Sequence, residues 1–186
     1  MRRILAIVVA KIAIALAKLL GYGGSNFGGE LALRICPDIL GWFGSQVKEK
    51  IILVTGTNGK TSTNNMIYSI IRESGHSCAC NKLGANLDSG LISAFINNCN
   101  LIGHLEADYA TLEVDEASLV KVMKHIKPHI IVFTNIFRDQ LDRYSEIDAL
   151  LNKIKASIKS SQSTVLLINA DDPSLVALGE ELPNEK

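Results

Sequence analysis

From residue 51 onward, short apolar runs rich in β-branched residues alternate with longer segments whose apolar residues recur at helical spacing. This alternation predicts an α/β fold with a mostly parallel sheet and helices on both faces, because parallel strands need crossover connections. The runs predict strands over residues 51–55, 76–80, 109–114, 129–134 and 164–169. The segments between them predict helices over residues 60–74, 87–97, 116–125 and 145–158.

The amino-terminal segment carries a different pattern. Residues 4–20 are apolar except for Lys11 and Lys18, and they follow Arg2 and Arg3. A helix places Lys11 and Lys18, seven residues apart, on one face and leaves a wide apolar face beside them. Such a helix suits docking on protein or lying in a membrane surface. A signal peptide or a membrane span is disfavoured, because a lysine in the middle of a span costs roughly 2.5–3.5 kcal/mol.

A cluster of glycines follows this helix and predicts a flexible loop: Gly21, Gly23, Gly24, Gly28 and Gly29. Two short helical stretches, over residues 30–35 and 37–47, complete an amino-terminal segment of residues 1–47. The remaining residues, 48–186, form the predicted central domain. Because residues 178–186 are polar, carry Pro183 and continue no strand or helix pattern, this domain is predicted to be truncated at its carboxyl end.

Composition narrows the possible partners. Apolar residues make up 47% of the chain and charged residues 20%, which predicts a folded protein. Lys and Arg together number 19, as do Asp and Glu, so the chain lacks the basic excess of a nucleic-acid-binding protein. The cysteines form no C-x-x-C pair and have no histidine at zinc-finger spacing, so reduced thiols in or near the core are expected. They are Cys36, Cys78, Cys80 and Cys99.

The segment IILVTGTNGKT, residues 51–61, places a glycine loop between a buried strand and a helix. Gly56 and Gly59 let backbone N–H groups turn toward phosphate oxygens, and the helix that starts near Lys60 adds its positive end. Lys60 supplies a cation for the β- and γ-phosphates, and the Thr61 hydroxyl supplies a ligand for Mg²⁺. Val54 stands where the general phosphate-loop pattern has another glycine, so the match is to a variant. ATP·Mg²⁺ is therefore expected to bind at Gly56, Thr57, Asn58, Gly59, Lys60, Thr61 and Ser62.

Three further motifs follow this loop along the chain. They are LEVDEA at residues 112–117, TNIFRDQLDRYSE at 134–146 and INADDP at 168–173. Together with TGTNGKTST at residues 55–63, they resemble the Mur ligase family and its folate-ligase relatives. The apolar amino-terminal helix and the glycines after it are most similar to the branch of the family that amidates lipid II. The resemblance covers essentially the whole chain, but only the front part of such a ligase.

The resemblance implies an ATP-dependent carbon–nitrogen ligase of peptidoglycan biosynthesis. ATP would phosphorylate the α-carboxylate of D-glutamate in the lipid II stem peptide. Ammonia from a GatD-type glutaminase subunit would then attack the acyl phosphate and give D-isoglutamine. The implied location is cytoplasmic, at the inner face of the membrane if residues 4–20 contact lipid. Zinc is implied only for a part of the family that this chain does not include.

The resemblance also assigns roles to residues outside the loop. Glu113, at the end of a predicted strand, matches the acid that holds Mg²⁺ in Mur ligases, with Asp115 and Glu116 as nearby competitors. Lys60 and Glu113 are thus the catalytic candidates, and Glu113 shares the metal with the threonine of the loop. Asn86, in KLGANLDSG, matches an asparagine on the substrate side.

One position departs from the pattern of most Mur ligases. Gln140 stands where they have a histidine that helps hold a second Mg²⁺. Because a glutamine carbonyl is a weaker, neutral ligand, one strong metal site is expected, and Gln140→His should leave activity within about tenfold, roughly 1.4 kcal/mol of barrier. Lys153 and Lys155 are candidates by position for the family's carbamylated lysine, although both also suit solvated helix lysines.

Two alternative functions stay open. One is another Mur-type ligase, such as a folylpolyglutamate synthase-like enzyme, which the motif at Gln140 and the amino-terminal helix disfavour. The other is a non-catalytic nucleotide-binding module that regulates or scaffolds, which would need no acceptor-binding domain.

Overall fold

The computed structural model describes residues 1–21, 26–82, 84–136 and 144–186, without the side chains of residues 144–148. Its strands are β1 (Lys50–Thr55), β2 (Cys78–Cys80), β3 (Tyr109–Glu113), β4 (Ile130–Phe133) and β5 (Val165–Ile168). Its helices are α1 (Arg2–Leu19), α2 (Phe27–Ile35), α3 (Ile39–Gly44), α4 (Lys60–Glu73), α5 (Asp88–Asn97), α6 (Glu116–Val122), α7 (Tyr144–Lys159) and α8 (Pro173–Glu180). The strands form one parallel sheet in the order β2-β3-β1-β4-β5, flanked by helices, so the predicted α/β fold is confirmed.

The central strand β1 positions the rest of the sheet. Its residues are buried from Ile51 to Thr55, as expected for an apolar run covered on both faces. Leu53 pairs with Leu112 of β3 on one side and with Ile131 of β4 on the other. The carboxyl ends of β1, β3 and β4 therefore meet at one edge of the sheet, and the loops that follow them are neighbours.

The amino-terminal helix α1 is docked on the rest of the chain. Ala6, Ile7, Ala10 and Ile14 are buried in the same hydrophobic core as the sheet, and α1 packs against α2 and α5. The ammonium of Lys11 donates hydrogen bonds to carbonyl oxygens at the end of α5, 2.8 Å from Ile96 and 2.7 Å from Cys99. Among the described residues, every helix falls short of the length or apolar character that spanning a membrane demands.

Two glycines predicted to lie in a flexible loop, Gly28 and Gly29, lie inside α2 instead. A Cβ atom on Gly28 would come 2.4 Å from the Ile14 side chain, and one on Gly29 would come 1.8 Å from the Ser89 carbonyl oxygen. The Gly29 N–H also donates to the Ser93 hydroxyl at 2.9 Å. These glycines let α2 approach α1 and α5 closely, so the loop prediction was wrong for both positions.

The carboxyl-terminal residues are more ordered than their polar composition predicts. Asp172 caps the start of α8 by accepting from the Ser174 N–H at 2.9 Å, and Leu175 and Leu178 are buried. The Leu166 N–H of β5 donates to the Glu185 carbonyl at 2.8 Å. The prediction missed α8 because a capped helix of eight residues offers only about two turns of apolar periodicity.

The amino-terminal helices and the sheet share one hydrophobic core. The rings of Phe43 in α3 and Phe95 in α5 stack 5.5 Å apart within it. The division of the chain into residues 1–47 and 48–186 stays a prediction. All four cysteines are free and three are buried, and burial raises the pKa of Cys78 to about 11 and that of Cys80 to about 12. The predicted place of the cysteines in or near the core is thus confirmed, and their reduced state stays a prediction.

Candidate functional site

The loop between β1 and α4 owes its shape to two glycines. Gly56 and Gly59 have positive φ angles, 130° and 82°. A Cβ on Gly56 would come 2.3 Å from the Thr134 hydroxyl and 2.6 Å from the Asn135 carbonyl oxygen, so no other residue fits there. Gly59 turns the chain directly into α4, whose first N–H groups have no acceptor within the helix. Such a helix start is suited to binding phosphate.

The loop is held in this conformation by Asn135, which follows β4. The Thr57 N–H donates to the Asn135 carbonyl at 2.8 Å. The Asn58 N–H donates to Asn135 Oδ1 at 2.9 Å, and Asn135 Nδ2 donates to the Asn58 carbonyl at 3.0 Å. No local pattern in the sequence links Asn135 to this loop. The contact follows from the order of the strands, in which β4 lies beside β1. The chain leaves β1 toward β2 and leaves β4 toward β5, so the loops after β1 and β4 begin next to each other.

Lys60, the predicted phosphate-binding cation, lies over the loop. Its ammonium donates to the Gly56 carbonyl and, at 3.1 Å, to the Thr57 carbonyl. The Glu116 carboxylate lies 3.7 Å away, and both side chains are largely buried. Glu116 is therefore a counter-ion of Lys60 in this structure, rather than a competitor for the place of Glu113.

The predicted metal ligands Thr61 and Glu113 are in direct contact. The Thr61 hydroxyl donates to Glu113 Oε2 at 2.7 Å, although 52 residues separate them in sequence. Asn86 Nδ2 lies at hydrogen-bonding distance, 3.5 Å, from the other carboxylate oxygen of Glu113. Asp115 does not compete for this place, because its carboxylate caps α6 by accepting from the Ala117 N–H at 3.1 Å.

These side chains surround one cavity of about 300 Å³. It is lined by Thr57, Asn58, Gly59, Lys60, Thr61, Ser62, Asn86 and Glu113, which are all the predicted site residues except Gly56. A hydroxyl and a carboxylate side by side provide the oxygen ligands that Mg²⁺ prefers, so the residues present fit this ion. Neither Lys153 nor Lys155 is among the described lining residues, and Lys155 pairs with Glu181 at 2.8 Å. Gln140 lies outside the described residues.

A buried network of asparagines behind the cavity fixes the backbone of Glu113. The Glu113 N–H donates to Asn81 Oδ1 and Asn81 Nδ2 donates to the Glu113 carbonyl, both at 2.8 Å. Asn64 Nδ2 donates to Asn81 Oδ1 at 3.2 Å, and the Thr111 hydroxyl donates to Asn64 Oδ1 at 2.6 Å. The Asn81 side chain thus continues the pairing of β2 with β3 beyond the end of β2. Sequence reasoning missed this network, since an asparagine before a glycine loop predicts a turn.

A second cavity, of about 430 Å³, lies at the ends of β4 and β5. Here the motifs TNIF and INADDP meet, because Asp172 Oδ2 accepts from the Ile136 N–H at 2.7 Å. The lining residues are Asn135, Ile136, Asn169, Asp171, Asp172, Pro173 and Ser174. Asn135 therefore lines the second cavity and also binds Asn58, which lines the first.

Comparison with known proteins gives a consistent picture. The model of the Mur ligase middle domain matches residues 54–186. The chain is 39% identical over 173 residues to the MurT subunit of lipid II isoglutaminyl synthase (glutamine-hydrolyzing) of Staphylococcus aureus strain COL, covering 93% of the chain and 38% of the relative. The corresponding subunit of Streptococcus pneumoniae is 37% identical, over 81% of the chain and 33% of the relative. The chain thus spans between a third and two fifths of the length of these relatives.

Solved structures show the same fold. MurF ligase from Thermotoga maritima, crystallised with ADP, superposes with a TM-score of 0.63 at 17% identity, over 81% of the chain and 36% of that protein. MurF from Acinetobacter baumannii superposes with a TM-score of 0.60 at 22% identity, over 81% of the chain and 32% of that protein.

Proposed function

The chain belongs to the Mur ligase family, and from that premise we propose that it is the ATP-binding part of a ligase that amidates lipid II. The proposed reaction converts the α-carboxylate of D-glutamate in the stem peptide to the amide of D-isoglutamine. The observation that carries this proposal is the contact of Thr61 with Glu113 beside Lys60, at the start of α4. The sequence identity of 39% and 37% to two MurT subunits supports the choice of substrate.

The loop would bind the triphosphate of ATP. Backbone N–H groups at residues 59–61, at the start of α4, would face the phosphate oxygens, and Lys60 would neutralise charge on the β- and γ-phosphates. For this, the Lys60 ammonium must exchange the carbonyls of Gly56 and Thr57 for phosphate oxygens. Thr61 and Glu113 would hold Mg²⁺, which neutralises phosphate charge when bound.

The two cavities would bind different reactants, the nucleoside of ATP in one and the acceptor carboxylate in the other. The nucleoside of ATP would occupy the cavity between Asn135 and Asp172, because Asn135 lines that cavity and its amide binds Asn58 of the phosphate loop. The acceptor carboxylate would approach from the side of Asn86, which lies next to Glu113 in the first cavity. Asn86 carries an amide, so it would contribute a hydrogen-bond donor to a carboxylate without adding charge.

The proposed chemistry has two steps. A carboxylate oxygen of D-glutamate attacks the γ-phosphorus, and ADP leaves as the acyl phosphate forms. Ammonia from a GatD-type glutaminase partner then attacks the acyl carbon, and inorganic phosphate leaves as the C–N bond forms. The residues described here serve the first step, which depends on positioning and charge neutralisation more than on covalent help.

An amidation assay on lipid II tests this function. The full-length protein is co-expressed with a GatD-type glutaminase subunit and incubated with lipid II, ATP, Mg²⁺ and glutamine, and the stem peptide is analysed by mass spectrometry. Conversion of the D-glutamate carboxyl to an amide, lost in Lys60→Ala, is the expected result. Nucleotide binding without amidation would support the non-catalytic module instead. Glutamate addition to a folate would indicate a folylpolyglutamate synthase-like enzyme.

A further inference from the structure

The helix α1 has apolar residues on two opposite sides, and only one side is covered by the described protein. The covered side includes Ala6, Ile7, Ala10, Ala13 and Ile14, which are all buried. The other side, here named the α1 outer face, carries exposed leucine and isoleucine side chains. Its members are Leu5 (57% exposed), Ile12 (55%), Leu16 (54%), Leu19 (82%) and Leu20 (72%).

The α1 outer face is continuous. At about 100° per residue, its five members fall within roughly 100° of the helix circumference. Val8 and Val9, which are half-buried, lie within or next to the same arc, and no polar residue interrupts it. From Leu5 to Leu20 this stripe is about 22 Å long. An isolated exposed leucine needs no explanation, but a stripe of this length marks an interaction surface.

Two positively charged residues of α1 lie near the ends of the α1 outer face. Arg2 stands at its amino-terminal end and the exposed Lys18 at its carboxyl-terminal end, and α1 contains no acidic residue. Arg3 does not contribute, because its guanidinium pairs with the Asp38 carboxylate at 3.0 Å. Lys11 does not reach this face, because its ammonium is bound to the end of α5. An apolar stripe between cationic ends is complementary to a membrane surface that contains anionic lipids.

We propose that the α1 outer face lies in the surface of an anionic membrane, parallel to the bilayer. A lipid surface fits better than a protein partner, since the stripe offers no hydrogen-bonding side chain to orient a specific partner. The choice also rests in part on the proposed function, because lipid II is anchored in that membrane. α5 would connect the bilayer to the site: Asp88 begins it two residues after Asn86, and its last turn binds Lys11.

Vesicle co-sedimentation tests this proposal without nucleotide or lipid II. The full-length protein with its glutaminase partner is mixed with phosphatidylcholine vesicles, with or without phosphatidylglycerol. We expect binding that is stronger with phosphatidylglycerol. The double substitution Ile12→Gln and Leu16→Gln should weaken it by about tenfold or more, since each removes an apolar side chain from the buried surface. Glutamine has good helix propensity and both positions are exposed, so the fold should persist.

Two further variants sharpen the test. Lys18→Glu should reduce only the preference for phosphatidylglycerol. Met66→Gln with Ile70→Gln is the matched control, because these residues of α4 are also exposed, at 59% and 66%, and four positions apart. This control should bind vesicles like the parent, and circular dichroism should show all variants to be equally folded.

The outcomes separate this proposal from the ligase function. Absence of vesicle binding by the parent, or equal binding by the Ile12 and Leu16 double variant, would overturn it. So would a parent that self-associates through this face, with the double variant becoming monomeric and vesicle binding unchanged. Amidation of a water-soluble lipid II analogue with a short prenyl chain should be the same in parent and double variant. A failure of vesicle binding with amidation intact would therefore refute the membrane proposal alone.

Discussion

Removing the side chain of Asn135 should weaken nucleotide binding without unfolding the protein. In Asn135→Ala the loop loses two hydrogen bonds, those between the Asn135 amide and the backbone N–H and carbonyl of Asn58. The bond from the Thr57 N–H to the Asn135 carbonyl involves only backbone atoms and should remain. The loop would then spend part of its time in conformations that do not face phosphate, and apparent affinity falls with the competent fraction.

The size of the effect follows from these two bonds. Each contributes a net 0.5–1.5 kcal/mol or so, and both are exposed to solvent, so the lower half of the combined range applies. A loss of about 1–2 kcal/mol raises the Kd for nucleotide by roughly 5- to 30-fold. Titration calorimetry with ADP and Mg²⁺ measures this directly on the full-length protein.

Two controls distinguish clamping of the loop from other roles of Asn135. Asn98→Ala also removes a bond from an asparagine amide to a backbone carbonyl, at 2.8 Å, but away from the site, and should leave the Kd within about twofold. Tripolyphosphate lacks a nucleoside, so its affinity should fall as much as that of ADP if the amide shapes the loop. Unchanged affinity for both ligands in Asn135→Ala would refute the reasoning. A loss confined to ADP would assign the amide to nucleoside contact instead.

Four further changes have defined outcomes. Lys60→Ala should abolish ATP turnover by the full-length enzyme, because the γ-phosphate loses its cation; parental phosphate release would contradict this. Glu113→Gln should raise the Mg²⁺ concentration needed for nucleotide binding while the circular dichroism spectrum stays the same, and superimposable titrations would exclude Glu113 as a ligand. Gly29→Ala should lower the free energy of unfolding by about 1–3 kcal/mol, because its Cβ would lie 1.8 Å from a carbonyl oxygen of α5. Denaturant titration measures this change, and a variant as stable as the parent would contradict the prediction. Burial lowers the pKa of His129, so its imidazole is protonated at higher pH in the unfolded chain than in the folded one. The free energy of unfolding should therefore fall as pH drops through about 6.5. In denaturant titrations at several pH values, His129→Gln should show a smaller fall.

The strands and the phosphate loop were predictable because local sequence determines them. The apolar run before Gly56 is typical of a strand buried on both faces, and the positions of Gly56, Gly59 and Lys60 are characteristic of a loop that binds phosphate. The order of the strands was not encoded in any local pattern. Without it, the contact of Asn135 with the loop could not be foreseen, since the two are about 77 residues apart in sequence.

Other features depend on tertiary contacts and leave little trace in sequence. Gly28 and Gly29 follow other glycines, so they resemble a loop, yet close helix packing requires them within α2. Asn64 and Asn81 are polar residues that a pattern assigns to the surface. The structure buries both, because each amide is satisfied by hydrogen bonds within the network behind Glu113.

The central place of β1 has a consequence for synthesis on the ribosome. β1 is translated early, but its neighbours β3 and β4 begin at Tyr109 and Ile130, so more than 50 residues must follow before the first of them exists. At 5–20 residues per second, that interval is roughly 3–10 s. During it the apolar run from Ile51 to Val54 has no strand to pair with, and such a segment is prone to aggregate. We therefore expect the nascent chain to depend on chaperones until β3 emerges, with the strand that carries the phosphate loop as its most vulnerable part.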